Sequence, residues 1–596
     1  MRKLTNEEVM KLERQGCWAE DWNNIRVADT FTPEAIRQVD FYGHITLGHY
    51  DQMMEIKSGC CRPTGIRKTI LCNVDIGDNC LIENVGQITT TAHPTFGEGT
   101  TISTLNEVGP GNVVIFSHLN AQLAALMVKY ERNHPFTTAI RSLISEHIAR
   151  RTPQRTTIAE GVCITDTTNV TDCNIGTNCI IEGAARLLRC TLQGTRQAPV
   201  RIGVGAICQD SVVYAGSSVA NGAKIKQCFL GEACHITDGF SAESSVFFAN
   251  CYMSNGEACA AFCGPFSASH HKSSLLIGGM YSFYNAGSNT NFSNHAYKMG
   301  PMHWGILERG TKTASGAYVL MPAQIGTFSV CFGKLMHHPD TRRLPFSYLI
   351  AYNDDMYLIP GRNLTTVGLY RDIRKWPGRD RRSPEGRNSI INFDWLSPFS
   401  VGGIVSAKHT LEALREAGGN TATYNYHDYI IKNSSLRKGI KYYDIALRIF
   451  MGAVLKRHRL EPPRSQEGAG AWSDLSGLLL PLSQEEQLVE DIKWGRLASI
   501  EAINARLTGI HANYAEYRWA WSYRLICDHY DLNEITVQDA ERVREDYIQA
   551  RRAWIAEIRK DAQKEFELGD VDETLLQDFL QSLDREVEFE NLKYDM

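Results

Sequence analysis

The chain has no run of 18 apolar residues, no C-x-x-C pair and no large excess of either charge. Each absence removes a class of function. Without a long apolar run, no segment reads as a membrane span. The opening stretch MRKLTNEEVMKLERQG carries charge throughout and lacks an apolar signal core. The expectation is a cytoplasmic protein without a membrane partner. A formal net charge of −5 provides no global attraction for nucleic acid, so no nucleic-acid partner is expected either. Nucleotide signatures are missing as well. In GILERGTKT, Thr311 stands where a P-loop requires lysine and Lys312 comes one place late, and no strand–G-x-G-x-x-G–helix unit is evident.

Cysteine, by contrast, is plentiful. There are 17, and all but Cys17 and Cys527 fall between Cys60 and Cys331. Cys259/Cys263 is an isolated wider spacing with no second pair, so the cysteines read as small hydrophobes filling a narrow interior, and no metal is predicted. The dominant positive signal is a six-residue beat of bulky residues. It runs through Ile70, Ile76, Ile82 and Ile88, then Phe96, Ile102, Val108 and Val114. It returns as Ile158, Ile164 and Val170, as Val213, Val219 and Ile225, and in fragments to Val319, Ile325 and Cys331. Helices repeat every 3.6 residues and strands every two, so neither keeps this period. A solenoid of three short flat faces per turn does, with one bulky residue per face pointing inward.

IGDNCLIENV, IGTNCIIEGA and VANGAKIKQCFLGEACHI resemble the hexapeptide-repeat family over roughly residues 66–335. The resemblance implies a β-solenoid (left-handed parallel β-helix), the handedness coming from the family alone. Most enzymes of that family are acyltransferases, usually trimers with active sites between neighbouring solenoids. The resemblance therefore implies coenzyme A or acyl-CoA as donor and a homo-oligomer, with a trimer favoured. The longer chain, including GCWAEDWNNIRVADTF, also resembles an uncharacterised group of hexapeptide-repeat proteins. The three-histidine spacing of the family's zinc carbonic anhydrases is not matched by His93 and His118.

The expected organisation is an N-terminal cap over 1–65 and a β-helix over 66–345. A helical insertion at about 117–156 interrupts it, suggested by LNAQLAALMVKYERN and FTTAIRSLISEHIARR. An irregular, basic segment follows over 346–400, then an α-helical C-terminal region over 401–596. Ser483 with Glu486 and Thr536 with Asp539 have the spacing of capping boxes.

Seven of the 18 histidines lie between His235 and His338. The densest polar set holds His270, His271, Lys272, Asn285, Asn289, Asn291, Asn294, His295, Lys298 and His303. Acyl transfer needs a general base, for which neutral histidine is suited near pH 7, and hydrogen-bond donors for the developing oxyanion. His295 is the first candidate base and His303 the second. His270, His271, Lys272, Asn289, Asn291, Asn294 and Lys298 are candidate substrate ligands. Arg371, Arg374, Lys375, Arg379, Arg381, Arg382 and Arg387 form a basic run that could bind phosphate, with Arg371, Arg374 and Lys375 as the first candidates; the alternative for this run is a solvated loop paired with Asp372, Asp380 and Glu385. The functional expectation is CoA-dependent acyl transfer to a sugar, nucleotide sugar or related polar metabolite. The alternative is a non-catalytic scaffold or ligand sensor.

Overall fold

The computed structural model describes residues 1–107, 109–292, 304–456, 460–567 and 572–594. It is a β-solenoid of about 18 turns with mostly parallel strands, followed by helices that fold back along it. Ile82, Ile164, Ile181, Ile202, Val219, Ile236 and Met253 pair in register on successive turns and form one interior column. Each is buried. Full burial of such a side chain stabilises by about 1.5–3 kcal/mol, so the six-residue beat supplies the axis of the fold. The cysteines join it: Cys173 pairs with Cys190, and Cys80, Cys179, Cys208, Cys228, Cys234, Cys251, Cys263 and Cys331 are also buried and free. Burial raises the Cys228 and Cys331 thiols to about 12, which keeps them protonated and inert.

Parallel pairing begins before residue 66. Strand Ile36–Leu47 lies parallel to Gly65–Ile76, and Trp18–Ala19 and Ile25–Val27 stack on it in turn. Helix α1 (Asn6–Arg14) precedes them, its first turn closed by a Thr5–Glu8 capping box. Thr156–Ile158 stacks directly on Gly65–Ile76, and Cys163–Thr165 and Asn169–Ile175 on Leu81–Thr89, so the chain leaves the solenoid near residue 90 and rejoins it at Thr156. The beat at Phe96, Ile102 and Val114 therefore does not belong to a solenoid turn. Thr101–Ser103 and Asn112–Val114 form an antiparallel pair of their own. Helices α2 (Ala121–Lys129) and α3 (His134–Arg151) complete this excursion.

The polar segment after 264 continues the solenoid. Tyr281 and Tyr284 fill the interior there, and the Tyr284 hydroxyl lies 2.7 Å from Thr313 Oγ1, which is 2.8 Å from Thr290 Oγ1. Buried hydroxyls that satisfy one another are tolerated, which explains a core built from an unusually polar sequence. A hairpin of Tyr348–Tyr352 and Asp355–Ile359 covers the last turn.

One corner carries a ladder of left-handed residues: Ala233, Asn250, Phe266, Phe283, Gly310, Phe328 and Phe346. Phe266 stacks on Phe283 at 5.3 Å, and Phe328 on Phe346 at 4.8 Å. Glycine is required at 310 because φ is +75° and a Cβ would stand 2.2 Å from the Phe328 ring. Gly310→Ala should destabilise by about 1–3 kcal/mol, read as a lower melting temperature. An unchanged melting temperature would mean the ladder is not rigid there.

Helix α4 (Val367–Gly378) then returns along this corner and inserts Trp376 against Phe283, 4.9 Å away. Helices α5 (Pro398–Gly418), α6 (Asn433–Leu455), α7 (Leu482–Lys493), α8 (Ile500–Ala512), α9 (Tyr514–Tyr530), α10 (Val537–Glu567) and α11 (Glu573–Tyr594) complete the chain. The Thr536–Asp539 box caps α10. Ser483 caps nothing, because α7 already begins at Leu482 behind Pro481. Among the described residues, no helix is long and apolar enough to cross a membrane.

Candidate functional site

Strand register places one column of outward residues on a single wall. Ser218, His235, Tyr252, Ala268, Asn285 and Lys312 occupy equivalent positions on consecutive turns. Helix α4 and the segment after it stand opposite. Between them lies a cavity of about 290 Å³, lined by His235, Tyr252, His270, Asn285 and Lys312 from the wall and Asp372, Lys375, Trp376, Arg379 and Arg381 from the roof.

The wall is a stack of rings. His235 lies 6.1 Å from Tyr252 between ring centres, and Tyr252 lies 4.8 Å from His270. The Nδ1 of His235 is 2.7 Å from the Ser218 hydroxyl, which fixes the ring and leaves Nε2 free of that contact. Burial lowers the pKa of His235. Partial enclosure in the cleft, together with His271, Arg379 and Lys375, lowers that of His270. Both imidazoles are thus neutral near pH 7.

The roof supplies positive charge. Asp372 is buried and pairs with both Lys312 and Lys375, leaving one net positive charge in that trio. Arg379 and Arg381 add two more on the lining. An excess of positive charge between aromatic surfaces suits an anionic ligand with a flat or ring-shaped part.

The roof is held in place from two sides. On one side, Glu232 accepts the backbone N–H groups of Asn388 at 2.6 Å and Ser389 at 2.5 Å. Asn250 donates to Asp380 at 3.0 Å and accepts from the Arg381 N–H at 2.8 Å. On the other, Asp561 of α10 accepts the Val367 N–H at 2.9 Å, and the Trp554 indole donates to the Leu364 carbonyl at 2.6 Å. Burial alone would raise the Asp380 carboxyl, but hydrogen bonds from Arg382 and Asn250 outweigh it and hold the pKa at about 2. The folded value lies below the ordinary one, so its stabilisation is present above about pH 4 and is lost as pH falls towards 2. Trp376 fluorescence should accordingly change in that acid window, and Asp380→Asn should remove the dependence. A profile identical in the variant would exclude Asp380 as the source.

The structure brings His270 and Lys375 together at the cavity. His271 and Lys272 follow His270 on the exposed corner. Asn289 occupies a left-handed corner position, and the Asn291 backbone bridges neighbouring turns at Leu275 and Tyr318; neither lines the cavity. Arg371 is exposed on α4, and Arg374 donates to the Tyr370 hydroxyl beneath it. Asn294, His295, Lys298 and His303 lie outside the described residues. The lining also includes Arg379 and Arg381 from the basic run, and His235, Tyr252 and Lys312, which were not among the expected site residues. The 17-residue step from Ser218 to His235, repeated to Tyr252, is the signal that could have found the wall.

A family model described as a domain of unknown function (DUF4954) matches residues 1–415. The chain belongs to the DUF4954 family. The DUF4954 match spans the solenoid, its excursion, the cavity roof and most of α5. A second model, also described as a domain of unknown function (DUF6819), matches residues 455–575 and covers α7 to α10. No hexapeptide-repeat or acyltransferase family model matches. A protein of Treponema pallidum (strain Nichols), described as uncharacterized, is 22% identical over 598 residues, covering 88% of this chain and 82% of its own length.

Proposed function

We propose that the cavity beneath α4 belongs to a transferase that moves an acyl group from acyl-CoA to a sugar, nucleotide sugar or related polar metabolite. The observation that carries this reading is the meeting of two neutral histidines with Lys312, Lys375, Arg379 and Arg381 in one ligand-sized space. The cations would hold phosphate, and Tyr252 and Trp376 would flank a ring. His235, oriented by Ser218, would take the proton from the acceptor hydroxyl or amine as its oxygen or nitrogen attacks the thioester carbonyl. The C–S bond then breaks, and the departing thiolate receives that proton from the imidazolium. His270 would hydrogen-bond the acceptor from the neighbouring turn.

The test is transfer from acetyl-CoA to a panel of UDP- and GDP-sugars. His235→Ala should lower turnover about 100-fold or more while leaving the melting temperature unchanged. Wild-type turnover in both His235→Ala and His270→Ala would remove both from the chemistry.

One observation favours a second reading, a ligand-sensing scaffold. The roof is tied to α10 through Asp561 and Trp554, so occupancy of the cavity would bear directly on the C-terminal helices. Ligand binding without turnover, accompanied by altered hydrogen exchange in α10, would support it.

A further inference from the structure

A second cavity lies on the neighbouring face and is independent of the transferase reading. Along that face the outward column is Val212, Phe229, Val246, Phe262, Met280, Ile306 and then Gln324. The first four are fully buried against α2, α3 and the hairpin of Trp472–Leu475 and Leu478–Pro481. The apolar stripe outruns this cover by two turns. Met280 is half-buried and Ile306 is 36% exposed, and only then does the column become polar. A cleft of about 420 Å³ occupies this overhang, walled by Leu105, Ala125, Val128, Phe399 and Leu475 as well. It is large enough for a ligand of one or two fused rings, since a 150 Å³ cavity already holds benzene.

The polar groups of the cleft are few and mostly satisfied. Arg309 is neutralised by Asp474 at 2.9 Å and donates to the Asn392 carbonyl at 2.7 Å and the Gly477 carbonyl at 2.9 Å. Lys129 pairs with Glu485 at 2.6 Å and donates to Ser473 at 3.1 Å. Glu308 differs. One carboxyl oxygen accepts the Thr327 N–H at 3.0 Å, and no cation of the cleft pairs with it in a salt bridge among the described residues. Burial raises its pKa to about 8; the Thr327 N–H opposes this, Asp474 and Asp340 add to it and Arg342 opposes it. A protonated carboxyl in an apolar slot is a hydrogen-bond donor in need of an acceptor.

We propose that this cleft binds a neutral, mainly apolar small molecule that presents one carbonyl or hydroxyl oxygen to Glu308. Charge decides the class. Arg309 and Lys129 are already neutralised, so an anion finds no free cation, and a cation would have to ionise Glu308 beside Asp474. The apolar walls contribute the affinity and the single acid fixes the orientation.

The probe is 6-propionyl-2-(dimethylamino)naphthalene, a neutral fluorophore with one ketone, titrated into the full chain. Saturable, blue-shifted emission with one site per chain is expected. Val128→Trp at the mouth and Ile306→Glu on the exposed stripe should each weaken binding at least tenfold. Both positions are partly exposed, so folding should survive, as checked by melting temperature. Glu308→Gln keeps a donor and should bind within threefold of wild type, whereas Glu308→Leu should lose about tenfold. Non-saturable emission, or wild-type affinity in both Val128→Trp and Ile306→Glu, would overturn the site. Full affinity in Glu308→Leu would overturn the assigned ligand class.

Discussion

Arg309→Met should lower the unfolding free energy by about 3–5 kcal/mol, the usual cost of stranding one member of a buried ion pair. Arg309 is buried at the junction of three segments. Its guanidinium pairs with Asp474 of the C-terminal hairpin, donates to backbone carbonyls at Asn392 and Gly477, and lies 4.5 Å above the Phe283 ring. Methionine replaces the volume of the stem but removes the guanidinium from Asp474 and from the Asn392 and Gly477 carbonyls, leaving Asp474 only the Gly477 N–H and the Gly477 carbonyl only the Asn392 N–H. Asp474→Asn, which keeps shape and one acceptor, should cost less. Urea denaturation followed by tryptophan fluorescence would read both, because Trp395 and Trp472 lie on the segments that Arg309 secures. Loss below about 1 kcal/mol in Arg309→Met would mean that the hairpin docks through its apolar residues alone.

The second large effect concerns the first cavity. Lys312→Gln combined with Lys375→Gln should weaken binding of coenzyme A or a nucleotide sugar about 100-fold, as two charge-assisted hydrogen bonds to phosphate are lost. The double variant also leaves Asp372, buried on the roof, without its two partners. That turns the trio from one net positive charge to one net negative, which repels an anion at that point although Arg379 and Arg381 remain positive. A triple variant with Asp372→Asn should therefore regain part of the affinity, because the repulsion goes although the donors stay absent. Calorimetric titration distinguishes the cases. Equal affinity in wild type and double variant would place the phosphate elsewhere.

The solenoid itself was legible, because the spacing of one bulky residue per face is imposed by the width of the interior. From Ile158 to Ile225 the beat positions lie on interior columns. The same spacing misled at Phe96, Ile102 and Val114, where Ile102 and Val114 lie on the two strands of an antiparallel hairpin and pack into the separate core beneath it. Six-residue spacing alone does not separate these cases. Recurrence one whole turn later does, and the hairpin lacks it. The start of the solenoid was obscured for another reason: Ile36–Leu47 and Gly65–Ile76 pair across an intervening hairpin, Met53–Lys57 with Cys60–Pro63.

The site was legible in pieces. His270 stood out by residue type and Lys375 by charge, but their meeting depends on α4 returning about a hundred residues later to the Phe266–Phe283 corner. No local pattern encodes that return; Trp376, an apolar residue within a basic run, is the nearest trace of it. The bland reading of the basic run also holds in part, since Arg382 pairs with Asp380 and lies 3.9 Å from Glu232. Those pairs position the roof, which leaves Lys375, Arg379 and Arg381 to face the cavity.

The central claim is that a phosphate-bearing ligand sits between the His235–Lys312 wall and α4. A crystal structure of the full chain soaked with coenzyme A at saturating concentration tests it most directly. The account predicts phosphate density within hydrogen-bond distance of Lys312 and Lys375, with the thiol end directed towards His235 and His270. Ordered coenzyme A bound at another face, or an unoccupied cavity at saturation, would contradict it.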